Sequence, residues 1–345
     1  MLKKTKQATL GTLKTSGVFR FVENSRWRQH RLLILAYHGI SLDDEHQWDY
    51  TQFMPPEFFR TRMQLIKSSG CTVLPLGEAF KRLYSGDLPD KSVAITFDDG
   101  TYDFYKQAHP ILREFDFPAT LYLTTFYSHY NKPVFDVMCS YLLWKGRSKT
   151  LDLNTITGNG LRVDLSSKVS RYAAFKEIQR SAGERKLCAK EKDGLAASLA
   201  KQLNIDYDAL LAGRVLQLVN PDEVKALAAA GVDIQLHTHR HRVPLDRELF
   251  RREIEDNRRS IKDITGMTPS HFCYPSGVYD QTFLPWLEEA GIVSATTCEI
   301  GFASRQAHPL LLPRLLDTSG LSDIEFEGWL TGVSAALPRR KEVKG

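Results

Sequence analysis

Val93-Ala-Ile-Thr-Phe97-Asp98-Asp99-Gly100 joins a short run of apolar and β-branched residues to two adjacent carboxylates and a glycine. A continuous apolar run of this length, ended by turn residues, reads as a strand covered on both faces, the kind that parallel sheets use. Comparable runs occur at Leu32–Tyr37, Thr72–Leu74, Ala119–Thr124, Val232–Leu236, His271–Tyr274, Ile292–Ala295 and Leu311–Leu315. Helix-period segments lie between them, near Pro56–Ser68, Leu76–Tyr84, Phe104–Phe115, Pro221–Ala230, Arg247–Ile264 and Phe283–Ala290. Asn220 before Pro221 is a helix-start signal, and Gly231 a stop signal. Regular β-then-α alternation predicts an α/β fold, a distorted (β/α) barrel of seven or eight units. An open doubly wound sheet is the alternative.

One connection is too long for a simple βα unit. Residues from about 128 to 219 separate two predicted strands and contain helical, Lys- and Ala-rich segments such as Arg171–Arg180 and Glu184–Gln202, with Gly158 and Gly160 in a turn. Insertions of that size are lids and binding elements or decoration. The expected layout is a basic leader over 1–31, a main domain over 32–335 carrying this helical insertion, and a basic tail over 336–345.

The chain has 345 residues, 42% of them hydrophobic, enough for a sizeable core, and a net charge of +5. The leader holds eight basic residues against Glu23 alone, so the rest of the chain is slightly acidic. A body of that charge gives no positive stripe for nucleic acid, which is excluded as a partner. Gly11, Thr12, Lys14, Ser16 and Gly17 interrupt the apolar residues that a secretion signal needs, and no run of about 18 apolar residues predicts a transmembrane helix. Five widely spaced cysteines without a CxxC pair read as reduced core residues of a cytoplasmic protein. Leu10, Leu13, Phe19, Phe21 and Val22, set among Lys and Arg, suggest peripheral membrane contact through the N-terminus; a solvated leader is the alternative.

Acids and imidazoles stand where strands end. Asp98 and Asp99 follow Phe97; His237, His239 and His241 follow Leu236; His38 follows Tyr37. Parallel α/β folds gather the carboxyl ends of strands on one rim. Successive side chains point opposite ways, so one aspartate is free to hold a metal while its neighbour works on water. His237 and His241, four apart, suit one ion, with His239 pointing elsewhere. One carboxylate and two imidazoles leave a position open for water, as a catalytic divalent ion requires: zinc first, with cobalt or nickel as alternatives.

These residues also carry a family likeness. Thr96-Phe-Asp-Asp-Gly100 and His237-Thr-His-Arg-His241 resemble the TFDDG and H-[ST]-x-x-H motifs of NodB-type polysaccharide deacetylases, carbohydrate esterase family four. Phe117-Pro-Ala-Thr120 and Phe272-Cys-Tyr-Pro-Ser-Gly277 fall in the expected order. The likeness runs roughly from Leu32 to Leu316, outside the insertion. It implies that Asp98 is the catalytic base and that Asp99, His237 and His241 bind the metal. Cys273 stands where the family's third motif has a base-orienting arginine, and Arg314, in the last predicted strand, is the candidate replacement. The late Leu-x-x-His motif that supplies the general acid is absent. His38, at the end of the first strand, resembles instead the acid of a circularly permuted subset similar to biofilm poly-N-acetylglucosamine deacetylases.

The chemistry so implied is metal-dependent removal of N-acetyl groups from an amino-sugar glycan or a lipid-linked oligosaccharide, releasing acetate. A backbone N–H near Tyr274 or Pro275 is expected to stabilise the oxyanion, with Tyr274 preferred because proline has no N–H. The competing expectations are an O-acetyl esterase and a catalytically silent carbohydrate-binding protein of the same fold.

Overall fold

The computed structural model describes residues 2–158 and 161–337. Gly160, and the expected basic tail from residue 338 onward, lie outside the described residues. Seven parallel strands close into a barrel: β1 (Arg31–Tyr37), β2 (Ser92–Phe97), β3 (Thr120–Leu123), β4 (Asp233–Leu236), β5 (His271–Cys273), β6 (Ser294–Ile300) and β7 (Leu312–Leu316). Closure falls on β1. It pairs with β2 from Leu33↔Val93 to Tyr37↔Phe97, and with β7 at Leu35↔Leu315 and Ala36↔Leu316. An open sheet is thereby excluded, and the number of units is seven. The expected strand at Thr72–Leu74 is a two-residue stub, Thr72–Val73, on the outer edge of β2 and not a barrel stave.

Residues two apart along each strand divide between two cores, as the pleat requires. Leu32, Ile34, Ala94, Tyr122, Cys273 and Leu312 cluster together, whereas Leu33, Leu35, Val93 and Ile95 pack with residues of the surrounding helices. Counting on by two from Ala94 and from Leu312 brings Thr96, Asp98 and Arg314 onto the same side as Tyr122 and Cys273. The catalytic candidates thus extend the inner apolar rows toward the carboxyl end.

The residues between β3 and β4 form helices Phe126–Tyr130, Phe135–Lys145, Lys168–Glu184, Ala189–Gln202 and Tyr207–Ala212 with a two-stranded antiparallel ribbon, Thr150–Asp152 and Arg162–Asp164. They enclose their own apolar cluster, which includes Met138, Leu142, Ile178, Leu199 and Leu210. This unit is tied to two loops of the rim. Tyr141 and Lys145 bond the Asp44 carboxylate, while the Tyr102 amide donates to Gln217 O (2.8 Å) and the Val219 amide to Gly100 O (2.9 Å).

The leader departs from its expected role. Its first helix, Leu2–Thr15, and the short helix Val18–Glu23 bury Leu10 and Phe19 against Val333, with Leu13 and Val22 packed on the same cluster. Lys6 pairs with Glu325 and Lys14 with Glu327. Of the five apolar side chains offered to a membrane only Phe21 is exposed, at 80%. The lipid-facing helix is therefore corrected: its apolar face is already covered by protein. The expectation of core cysteines is corrected as well, since Cys188 and Cys298 are exposed, although all five thiols are free. Among the described residues no helix is long and apolar enough to cross a membrane.

Candidate active site

The turn after β2 sets both aspartates. Asp99 and Gly100 are consecutive left-handed residues, at φ 71° and 84°. They reverse the chain sharply enough to leave Asp98 pointing into the barrel and Asp99 onto the rim. At Gly100 a Cβ would lie 2.4 Å from Leu123 Cδ1 at a left-handed φ, so any side chain there is strained and must displace Leu123. The following helical segment opens as a π-turn, Phe104–Ala108, and becomes regular at His109–Phe115. Pro110 accounts for the break, having no N–H to bond the preceding turn.

Asp98 is buried and gripped from the far side of the barrel closure. Arg314 Nη1 and Nη2 donate to its two carboxylate oxygens at 2.8 and 2.7 Å. The guanidinium is held in turn by Thr297 O (3.0 Å), Thr96 Oγ1 (3.2 Å) and Cys273 Sγ (3.1 Å). Burial alone raises the Asp98 pKa, but the adjacent guanidinium outweighs it and brings the group down to about 2. Cys273 is small enough to leave room for Arg314, and its thiol lies 3.5 Å from Asp98 Oδ2.

Three donors converge beside this pair. Asp99 Oδ1 lies 3.2 Å from His237 Nε2 and 3.1 Å from His241 Nε2. Tetrahedral donors bound at the usual zinc distances stand about 3.3 Å apart, so the spacing suits one small divalent ion. His237 donates Nδ1–H to Cys273 O at 2.8 Å, which fixes the ring with Nε2 turned to Asp99 Oδ1, the nitrogen that would face an ion. The two imidazoles offset the burial of Asp99 and hold its carboxyl well below the usual range. A second trio, Asp98, His237 and Cys273, is equally close. It is a poorer cation site, because the charge of Asp98 is already met by Arg314 and burial pushes the Cys273 thiol up.

His38 follows β1 across from these groups, its Nε2 3.9 Å from Asp98 Oδ2. That distance is too long for a direct hydrogen bond but close enough for both groups to face one reacting centre. His38 Nδ1 is buried without a hydrogen-bond partner among the described residues. His239 turns away from the cluster to Thr125 Oγ1, at 2.8 Å. His308 bonds its own loop at the Leu310 amide.

The oxyanion expectation fails on hydrogen-bond accounting. The Tyr274 amide donates to Thr296 O at 3.2 Å, carrying the β5–β6 ladder one residue further, and the phenol donates to Leu310 O. Tyr274 is thus a core residue with its N–H already engaged, and Pro275 has none to offer. Three residues that sequence reasoning missed lie close behind the site: Asp103, whose carboxylate receives the Ile40 amide next to His38, and Glu253 and Asn257 under the histidine loop.

The polysaccharide deacetylase family model matches residues 85–161 and 195–295, more than half of the chain. The chain belongs to the polysaccharide deacetylase family. A poly-β-1,6-N-acetyl-D-glucosamine N-deacetylase of Staphylococcus epidermidis is 30% identical over 132 residues, which are 36% of this chain and 45% of that protein. Its Staphylococcus aureus counterpart is 26% identical over the same shares. The chain thus spans less than half the length of these curated relatives. Among solved structures, the Streptococcus pyogenes deacetylase PplD superposes with a TM-score of 0.53 at 20% identity, covering 83% of this chain and 91% of that one. IcaB from Ammonifex degensii gives 0.53 at 15% identity, over 87% and 97%. Both share the fold of this deacetylase-family chain.

Proposed function

We propose that this protein is a metal-dependent amide hydrolase that removes N-acetyl groups from an amino-sugar glycan and releases acetate. The observation that carries this is the convergence of Asp99, His237 and His241 on one point, with the Asp98–Arg314 pair beside it. The donors fit a divalent ion in number and spacing. Zinc is the ion assigned, as two imidazoles and one carboxylate with an open position suit it. When bound, such an ion polarises the acetyl carbonyl and eases removal of a proton from water.

The remaining work belongs to side chains. The Arg314 guanidinium holds the Asp98 carboxyl well below the usual carboxylate range, so it stands as a carboxylate able to receive the water proton. A carboxylate that acidic is a weak base, and its contribution is position: Arg314 fixes both oxygens, so the acceptor meets the attacking water in one orientation. His38, beside Asp98 at the end of the adjacent strand, gives a proton to the departing amine, which cannot leave as an anion. Tyr274 contributes no amide to the oxyanion.

Support for the substrate class comes from the family and from the staphylococcal relatives, named for poly-β-1,6-N-acetyl-D-glucosamine. Acetate release from a panel of N-acetylated oligosaccharides, β-1,6-linked glucosamine oligomers included, tests the proposal. Release from at least one of them with added zinc, lost in Asp98→Asn, is the expected result. Release from O-acetylated sugars alone would replace the amidase by an esterase.

A further inference from the structure

The loop that carries His237 and His241 is strained and yet tightly determined. Thr238 and His241 adopt left-handed φ values of 63° and 52°, and for a β-branched threonine that region is strongly disfavoured. Residues held so persist only where their surroundings over-determine them. The loop carbonyls of His237 and Thr238 accept from Thr124 Oγ1 at the end of β3, while three of its amides are met by one face of a single helix, Arg247–Thr265.

Asn257 is fully buried on that helix. Its Oδ1 accepts the His237 amide at 2.9 Å, and its Nδ2 donates to Leu123 O (2.9 Å) and Thr125 Oγ1 (3.0 Å), anchoring the histidine loop to the end of β3. One turn earlier lies Glu253, 1% exposed. Its backbone carbonyl accepts the His239 amide at 3.1 Å. Its carboxylate accepts the Arg240 amide (2.8 Å), Arg240 Nη1 (3.1 Å) and Arg242 Nε (2.6 Å). The amides of His237, His239 and Arg240 are therefore all fixed by two helix residues four apart, which share one helix face.

We infer that Glu253 and Asn257 are positioning residues that hold both imidazoles on Asp99 before any ion arrives, and that this preorganisation sets the ion affinity of the site. The inference rests on the metal-dependent function proposed above. Neither side chain bonds Asp99 or an imidazole ring. Each acts through the histidine backbone, as outer-shell groups do when they orient ligands.

The test is the zinc dissociation constant of metal-stripped protein, measured by competition with a chromophoric chelator, with far-UV circular dichroism to confirm the fold. Glu253→Gln and Asn257→Leu are expected to weaken zinc binding roughly 10- to 100-fold, the usual effect of losing an outer-shell partner. Saturating zinc should return kcat toward the wild-type value. Glu255→Gln, an exposed residue of the same helix paired with Arg251, should leave the constant unchanged. Should Glu253→Gln fail to fold, Arg242→Ala removes one arm of the clamp at a half-exposed side chain and is expected to weaken binding several-fold. Folded variants that bind zinc as tightly as the wild type would overturn the clamp while leaving the metal site intact. A wild-type protein that binds no divalent ion would overturn the proposed function and the clamp with it.

Discussion

Arg314 and Asp98 are 216 positions apart in the chain and form a two-pronged ion pair at 2.7 and 2.8 Å inside the barrel, with both side chains almost wholly buried. The pair is made where β7 closes on β1, so the fold's last strand completes the site that its second strand begins. Arg314→Leu leaves a buried carboxylate without a partner and is expected to cost about 3–5 kcal/mol of stability and to lower kcat/KM about 100-fold through loss of orientation. The folded pKa of Asp98, about 2, lies below its unfolded value. The pair therefore contributes stability above about pH 4 that is lost as the pH falls toward 2. Urea midpoints between pH 2 and 6 should show this acid-side loss in the wild type and its absence in the variant.

Asp103 titrates in the opposite sense. Burial, with Glu45 and Asp99 nearby, pushes it up to about 8, although the Ile40 amide and Thr101 hydroxyl both donate to it. Between the ordinary carboxylate range and about 8 the folded protein holds a proton that the unfolded chain has released, so stability falls as pH rises through that window. Asp103→Asn keeps an acceptor for Ile40 and cannot ionise. Thermal midpoints of chelator-treated protein from pH 5 to 8 should fall less in this variant than in the wild type; parallel curves would contradict the assignment.

His38 separates the amide from the ester chemistry. His38→Ala is expected to reduce deacetylation of an N-acetyl substrate by about 10²–10⁴-fold, the range for loss of a general acid. An O-acetyl substrate, whose alkoxide departs more readily than an amine anion, should lose much less. Paired kinetics on matched N- and O-acetyl sugars measure the ratio, and equal losses would remove His38 from the acid role.

His237 and His241 should respond differently to truncation. His237 is 1% exposed and bonded at its amide and at Nδ1, so His237→Ala is expected to lower stability as well as ion binding. The more exposed His241 should lose ion binding with little loss of fold. At a free zinc concentration about 100 times the dissociation constant, the wild type should gain about 2.7 kcal/mol. Differential scanning of His241→Ala with and without zinc should show almost none of that gain.

Much of this was legible in the sequence because parallel strands buried on both faces must be continuously apolar, and because chemistry collects at their carboxyl ends. Leu32–Tyr37 and Val93–Phe97 stand out for that reason. The strand expected at Ile292–Ala295 instead runs Ser294–Ile300: its outer half, Cys298–Ile300, leaves the core across a register shift and loses the apolar signature. Arg314 was legible as a candidate, but its pairing with Asp98 depends on barrel closure, which no local pattern encodes. Tyr274 was misread because a strand's last amide pairs with its neighbour without any mark in the sequence. Glu253 and Asn257 did leave a signal: they share the buried stripe of Phe250, Ile254 and Ile261, where a polar residue requires a partner.

The most direct test of the account is acetate release from a β-1,6-linked N-acetylglucosamine oligomer by metal-stripped protein, followed as zinc is added in fractions of an equivalent per chain. The account predicts no release at the start, a rise that ends at one equivalent, and no rise in Asp99→Asn. Release without any divalent ion, or an unchanged titration in Asp99→Asn, would contradict it.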